Sequence, residues 1–205
     1  SSEWDEYIMM KYVIARALLA NEGSIKTVAT LNAANSDSII SSMKAVSNNM
    51  RFMMTDYNVA GVPTHSPIDR QVFFLTADAS AVLDVASLAK AYNLSYVDFI
   101  GQQQMINTFG FTEAEEERLD AIMEETVAQG LVPGYTPFTD AEKTKLASIV
   151  GATIDEDFFM IFDKLYQVNA VFDAKHLNTN NFLHNWKIYS YNPFANAIFF
   201  SDTSF

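Results

Sequence analysis

Apolar residues over the first twenty positions recur too densely for a one-sided helix. Ile8, Tyr12, Ala15 and Leu19 mark one face, yet Trp4, Met9, Met10, Val13 and Leu18 lie off it. The pattern predicts a helix over 2–22 that meets protein on more than one side. Ser2 is its expected cap, Glu3, Asp5 and Glu6 suit the positive end of the helix dipole, and Gly23 is the expected stop. Ile39, Met43, Val46, Met50 and Met53 then recur at three- and four-residue steps, predicting a second helix over 37–54 with Ser36 as cap. This methionine stripe reads as core filling rather than as an adaptable groove.

Asn58, Gly61, Pro63 and Pro67 make 57–70 a loop. Val72 to Thr76 reads as a buried strand. Residues 84–92 read as a short helix with Val85, Leu88, Ala89 and Tyr92 on one face, ending at Asn93. Strands are expected at Met105 to Phe109, Phe158 to Phe162, Phe182 to Tyr191 and Ala195 to Phe200, with Asn192-Pro193 as a turn. Helices and strands intersperse without regular βαβ units, so the fold class is α+β.

The stretch from Thr112 to Val150 differs from its surroundings. It holds nine acidic and three basic residues, half of the chain's net charge of −12. Two solvated helices are expected, each opened by a capping box, Thr112 with Glu115 and Thr139 with Glu142, and separated by the loop 130–137. Phe111-Thr-Glu-Ala-Glu and Phe138-Thr-Asp-Ala-Glu are alike, but shared helix-start chemistry explains the likeness, and two copies are too few for a solenoid.

Composition narrows the function. With 205 residues, 49% of them apolar and 19% charged, the chain can bury a core and fits one large domain or two small ones. It has no cysteine, which removes disulfides, thiolate catalysis and cysteine-ligated metal sites. Only 13 Lys and Arg, scattered singly, argue against binding nucleic acid through phosphates. No apolar run approaches the roughly 20 residues of a membrane helix, so no membrane partner is expected. The first residues lack a signal-peptide pattern and an initiator Met, so the native chain is expected to begin further upstream.

Catalytic chemistry finds little support. His65, His176 and His184 have no metal-ligand spacing, and seven isolated glycines make no phosphate loop. Asp155, Glu156, Asp157 and Asp163 are the densest acidic cluster near an apolar segment, yet alternation along a strand would send Asp155 and Asp157 one way and Glu156 the other. The cluster reads as a solvated loop entering a strand. A hydrolase built on Asp155, Asp157 and His184 is the remote alternative, and an acidic protein-binding or scaffold module the nearer one. No catalytic residue, cofactor or metal is assigned.

Three runs near the carboxy terminus carry a family resemblance: Asp155-Glu-Asp-Phe-Phe-Met-Ile-Phe-Asp163, His176-Leu-Asn-Thr-Asn-Asn-Phe-Leu-His-Asn-Trp186 and Tyr189-Ser-Tyr-Asn-Pro-Phe-Ala-Asn-Ala-Ile-Phe-Phe200. Together they resemble the ending of major capsid proteins from short-tailed, phi29-like bacteriophages. Upstream, Ser2-Glu-Trp-Asp-Glu-Tyr7 leading to Met10-Lys11 looks like the start of the family's spine helix. Val72-Phe-Phe-Leu-Thr-Ala77, Leu83-Asp-Val-Ala-Ser-Leu-Ala-Lys-Ala-Tyr-Asn93 and Asp98-Phe-Ile-Gly101 look like its central strand and short helix. Residues 112–150 look like an insertion. The family's amino-terminal arm and extended loop are missing, so the chain looks like the second half of a subunit.

The resemblance implies an HK97-like (Hong Kong 97 type) capsid fold and no enzymatic activity. By analogy, 1–30 is the peripheral spine helix, 31–163 the axial domain carrying the acidic insertion 112–150, 164–190 returning peripheral strands, and 191–205 the last axial strand. A helix with several apolar faces fits a spine packed between its own sheet and other subunits. The implied role is a virion subunit, assembled in the bacterial host cytoplasm into pentamers and hexamers around double-stranded DNA, with scaffolding, portal or decoration proteins as further partners. The acidic helices are expected to decorate the outer face near the capsomer centre. Trp4, Tyr7, Asp84, Leu88, Asn93, Asn180, Trp186, Tyr189, Pro193 and Phe194 are the candidate subunit contacts or structural-motif positions, with ordinary core packing as the competing reading for the aromatic ones.

Overall fold

A computed structural model describes residues 2–163, 182–184 and 187–205. Its helices are α1 (Ser2–Ala20), α2 (Ser36–Asn49), α3 (Ala77–Val82), α4 (Val85–Ala91), α5 (Tyr96–Gln102), α6 (Glu113–Ala128) and α7 (Asp140–Ala147). The strands are β1 (Ile25–Thr27), β2 (Gln71–Thr76), β3 (Gln103–Ile106), β4 (Ile149–Asp155), β5 (Phe159–Asp163), β6 (Phe182–His184), β7 (Lys187–Tyr191) and β8 (Ala197–Ser201). Five of them form a mixed sheet in the order β1-β8-β4-β2-β3, and three form an antiparallel sheet in the order β5-β7-β6.

Alternation along the central strands divides the interior into two cores. Phe74, Ala152, Ala197 and Phe199 face α1, while Phe73, Leu75, Ile198 and Phe200 face α2, α4 and α5. A bulge in β4, where the register jumps between Ile149 and Gly151 against β8, reverses which face the odd and even residues take. Val150 therefore joins the α2 side although Ala152 and Ile154 join the α1 side. Gly151 at this point approaches β2 closely: a Cβ there would stand 3.0 Å from the Phe74 carbonyl oxygen and 3.3 Å from Leu75 Cδ2.

From Ile8 to Leu18, only Met10 and Arg16 of α1 escape full burial. The central sheet, β7 and α6 all pack on this helix. The several-faced burial read from its sequence is present, and this chain's own elements supply it. α6 buries Glu115, Leu119, Ile122, Met123 and Thr126, spaced as one helical face. It is therefore amphipathic and docked, not the fully solvated helix expected from its charge. Both capping boxes form as read, at Thr112 with Glu115 and at Thr139 with Glu142. Phe111 and Phe138, each just before a cap, stack with ring centroids 5.6 Å apart.

Other expectations shift. α2 stops at Asn49, and Met53 is exposed instead of continuing the stripe, because the Met54–Thr64 bridge turns the chain away. Its cap position is Asn35, whose side chain donates to the Thr30 carbonyl instead of capping the helix, and Ser36 is the first helical residue. β3 lies two residues earlier than expected and ends at Ile106. Phe182 to Tyr191 is two antiparallel strands, paired Leu183 with Ile188, rather than one. β1, α3 and α5 carry no clear sequence period. β4 begins inside the stretch read as acidic helices.

Candidate functional site

Three polar junctions tie elements together around α1 and the sheet. Lys11 is enclosed, and its ammonium reaches Glu115 Oε1 at 2.9 Å and Asn107 Oδ1 at 3.0 Å. The Tyr7 hydroxyl donates to the same Asn107 oxygen at 2.6 Å. Glu115 also accepts the Thr112 N–H at 2.8 Å, so one carboxylate closes both the capping box and the ion pair. Burial pushes the Lys11 ammonium below its ordinary range. Burial pushes Glu115 up, but the Thr112 N–H, Lys11 and Asn107 together outweigh it and hold the carboxyl low.

At the second junction, Arg118 grips Asp5 through Nε and Nη2, both at 2.9 Å, and His184 Nε2 lies 3.1 Å from Asp5 Oδ2. The Arg118 bonds, helped by His184 and opposed by burial, hold Asp5 down at about 2. The third joins loop and sheet: Asp155 accepts from Ser66 Oγ at 2.5 Å, Arg70 Nη2 at 3.1 Å and the Asp157 N–H at 2.9 Å. Arg70 also reaches Asp157 at 2.7 Å.

These junctions correct the reading of the acidic cluster. Asp155 is buried at the end of β4 with its oxygens occupied, not solvated, because the loop 57–70 brings Ser66 and Arg70 onto it. Asp155 and Asp157 share Arg70, while His184 is bonded to Asp5 on α1, so these three side chains do not converge on one site. Among the described residues, no group of His, Asp or Glu side chains is arranged to hold a metal. Among the same residues, no helix is long and apolar enough to cross a membrane.

The contact candidates separate into three kinds. Asp84 caps α4 by accepting from Ala86 N, Ser87 N and Ser87 Oγ. Asn93 ends α4 in the left-handed region at φ 57°, with its N–H bonded to Lys90 O and that of Leu94 to Ala89 O, both at 3.0 Å. Leu88 and Tyr189 are core, and Tyr7 belongs to the Lys11 junction. Trp4 and Phe194 are the outward members, 39% and 56% exposed. Pro193 lies in the turn before β8, where its carbonyl accepts the Ala60 N–H. Asn180, Trp186 and His176 lie outside the described residues.

Two surface features have no counterpart in that set. After α2, Phe52 and Met53 stand 69% and 65% exposed beside exposed Arg51. A cleft of about 310 Å³ opens between α1, the central sheet and β5, with Met10, Phe74, Ile154 and Phe159 as apolar walls and Asp155 and Glu156 at its edge. A continuous helix over 37–54, which the methionine spacing predicts, conceals Phe52 and Met53 as an exposed pair. The Lys11 junction had one available signal, a cation set among apolar residues on both sides between Ile8 and Ile14.

Residues 1–201 match the family model described as Phi29-like phage major capsid protein. A major capsid protein of Bacillus phage GA-1 is 27% identical over 209 residues, covering 100% of this chain and 37% of that protein. One from Bacillus phage B103 is 28% identical over 206 residues, covering 98% and 38%. The chain thus spans less than two-fifths of the length of these curated relatives. Among solved structures, the capsid structure of Staphylococcus phage Andhra holds a chain similar at a TM-score of 0.50 and 12% identity, over 99% of this chain and 60% of that one, a likeness of fold alone.

Proposed function

The chain belongs to the Phi29-like phage major capsid proteins, and from that premise we propose that it is the part of a shell subunit through which copies join into a closed, DNA-enclosing capsid. The observation that carries this is the family match across residues 1–201. The role is structural: the buried charges are spent on cross-linking elements, and large apolar side chains remain outside for other copies to cover. Each contact between copies can be weak because a shell repeats it many times.

The finer reading is an HK97-like fold, with α1 as a spine helix along the shell wall and the central sheet in the lobe that gathers in pentamers and hexamers. The division into 1–30, 31–163, 164–190 and 191–205 goes with it, except that 112–150 travels with α1, on which α6 packs. Its exposed carboxylates would face outward and keep shells apart, and its acidity would keep packaged DNA from adhering. Scaffolding, portal or decoration proteins would complete the particle.

Electron microscopy of the expressed full-length protein tests the proposal. Closed particles are expected, with α1 and the central sheet recognisable in the reconstructed wall. A protein that remains monomeric under conditions where it is folded overturns it.

A further inference from the structure

The tip after α2 and the cleft beside β5 match one another in chemistry. At the tip, Arg51 has no carboxylate partner among the described residues, and Phe52 and Met53 present their side chains to solvent. At the cleft, Asp155, Glu156 and Asp157 surround a single cation, Arg70, so acid is in excess beside an apolar hole. We propose that the tip of one copy docks in the cleft of a second copy, with Phe52 seated against Met10, Phe74 and Phe159 and Arg51 facing Glu156 and Asp157.

This rests on the reading of the chain as part of a shell subunit. Charge favours the tip over the exposed apolar pair of α5. Val97 and Ile100 flank Asp98, so an acidic neighbour disfavours them. The tip is also held before it binds: the Met54–Thr64 bridge closes behind it, and the Ser66 N–H donates to Met50 O at 2.5 Å. Docking therefore orders little additional chain. Phe52 is exposed in its own copy, so its own cleft is not its partner. An aromatic anchor in an apolar pocket with charges at the rim is the usual anatomy of an energetic contact.

The test uses full-length protein. Phe52→Cys combined with Gln104→Cys, a residue lining the cleft, is expected to give covalently joined subunits on oxidation, where each single variant gives none. Arg51→Glu is expected to lower the yield of particles at least about tenfold, and adding Glu156→Arg to restore it to within about threefold. Particles that form normally but yield only unlinked subunits overturn the contact and leave the shell reading intact. Arg51→Glu without effect, or without rescue, also overturns it. Failure of the unsubstituted full-length protein to form particles where it is folded overturns both.

Discussion

The two faces of the central sheet are built differently. On the α2, α4 and α5 side, the interior is held by apolar packing, with Phe73 stacked on Tyr92 and Phe99 at 4.4 and 5.3 Å between centroids. On the α1 side, charges are embedded in the apolar mass: Lys11 with Glu115, and Asp5 with Arg118 and His184. The first arrangement supplies stability without directionality. The second requires particular partners at particular places, and removing one leaves the other stranded. The polar side fixes how α1, α6 and the small sheet register on one another, and the apolar packing of the other side does not itself titrate.

Breaking the embedded pair gives the largest effect. Lys11→Met leaves the Glu115 carboxylate buried beside neutral donors only and is expected to cost about 3–5 kcal/mol, read from denaturant unfolding of the full-length protein. Adding Glu115→Gln, which keeps the capping geometry, is expected to recover most of the loss. If the single and double variants are equally unstable, directional pairing is not what matters on this side. The apolar side gives a smaller, pH-independent loss. Leu88→Ala deletes a fully buried side chain of α4 and is expected to cost about 2–5 kcal/mol, with little change in the pH profile of stability.

Where the two faces meet, β4 has no room for a side chain. Gly151→Ala forces a methyl against the Phe74 carbonyl, a backbone atom that cannot rotate aside, and is expected to cost about 1–3 kcal/mol. The α1 face should respond to acid through Asp5. Its carboxyl is held at about 2, below the ordinary 3.8, so its contribution is complete above about pH 4 and is lost as pH falls through 2. The loss is on the order of 1–2 kcal/mol, because Arg118 is partly open to solvent and the pair is screened. Thermal unfolding between pH 5 and 2 should fall less steeply for Asp5→Asn than for the parent protein. Parallel curves would remove Asp5 from the comparison.

What could be read from the sequence follows the same divide. Periodicity found the strand at Val72, the helix at Val85 and the many-sided α1, because apolar burial leaves a repeating trace in one segment. Capping found both acidic helices, because Thr and Glu three apart act locally. The embedded pairs join residues more than a hundred positions apart, as Lys11 with Glu115 and Asp5 with Arg118, and no local pattern announces them. β1 is only three residues long and α3 six, too short to show a period, while α5, seven residues like α4, leaves Val97 and Ile100 exposed and buries Phe99, so its apolar residues do not share one buried face. The exposed tip was lost for a related reason. Met50 and Met53 keep helical spacing, but the chain leaves the helix at Asn49, and a bridge to Thr64 decides that.

The twin capping boxes give the smallest and most discriminating comparison, because the same local chemistry sits in two environments. At α7, Thr139 accepts from Glu142 N, and Glu142 returns to Thr139 N at 2.9 Å on an exposed surface. At α6, the corresponding carboxylate is Glu115, which Lys11 also needs. Thr139→Ala should therefore cost about 0.5–1 kcal/mol, the ordinary value of an exposed cap. Thr112→Ala loosens the first turn of α6 and with it the position of the buried carboxylate, so its cost should approach about 2 kcal/mol, the upper end for a cap. In the background of Lys11→Met with Glu115→Gln, that excess should vanish and the two caps become equal. An excess that persists without the ion pair would mean that α6 depends on its apolar face alone, and that the charges beneath it do not set its place on α1.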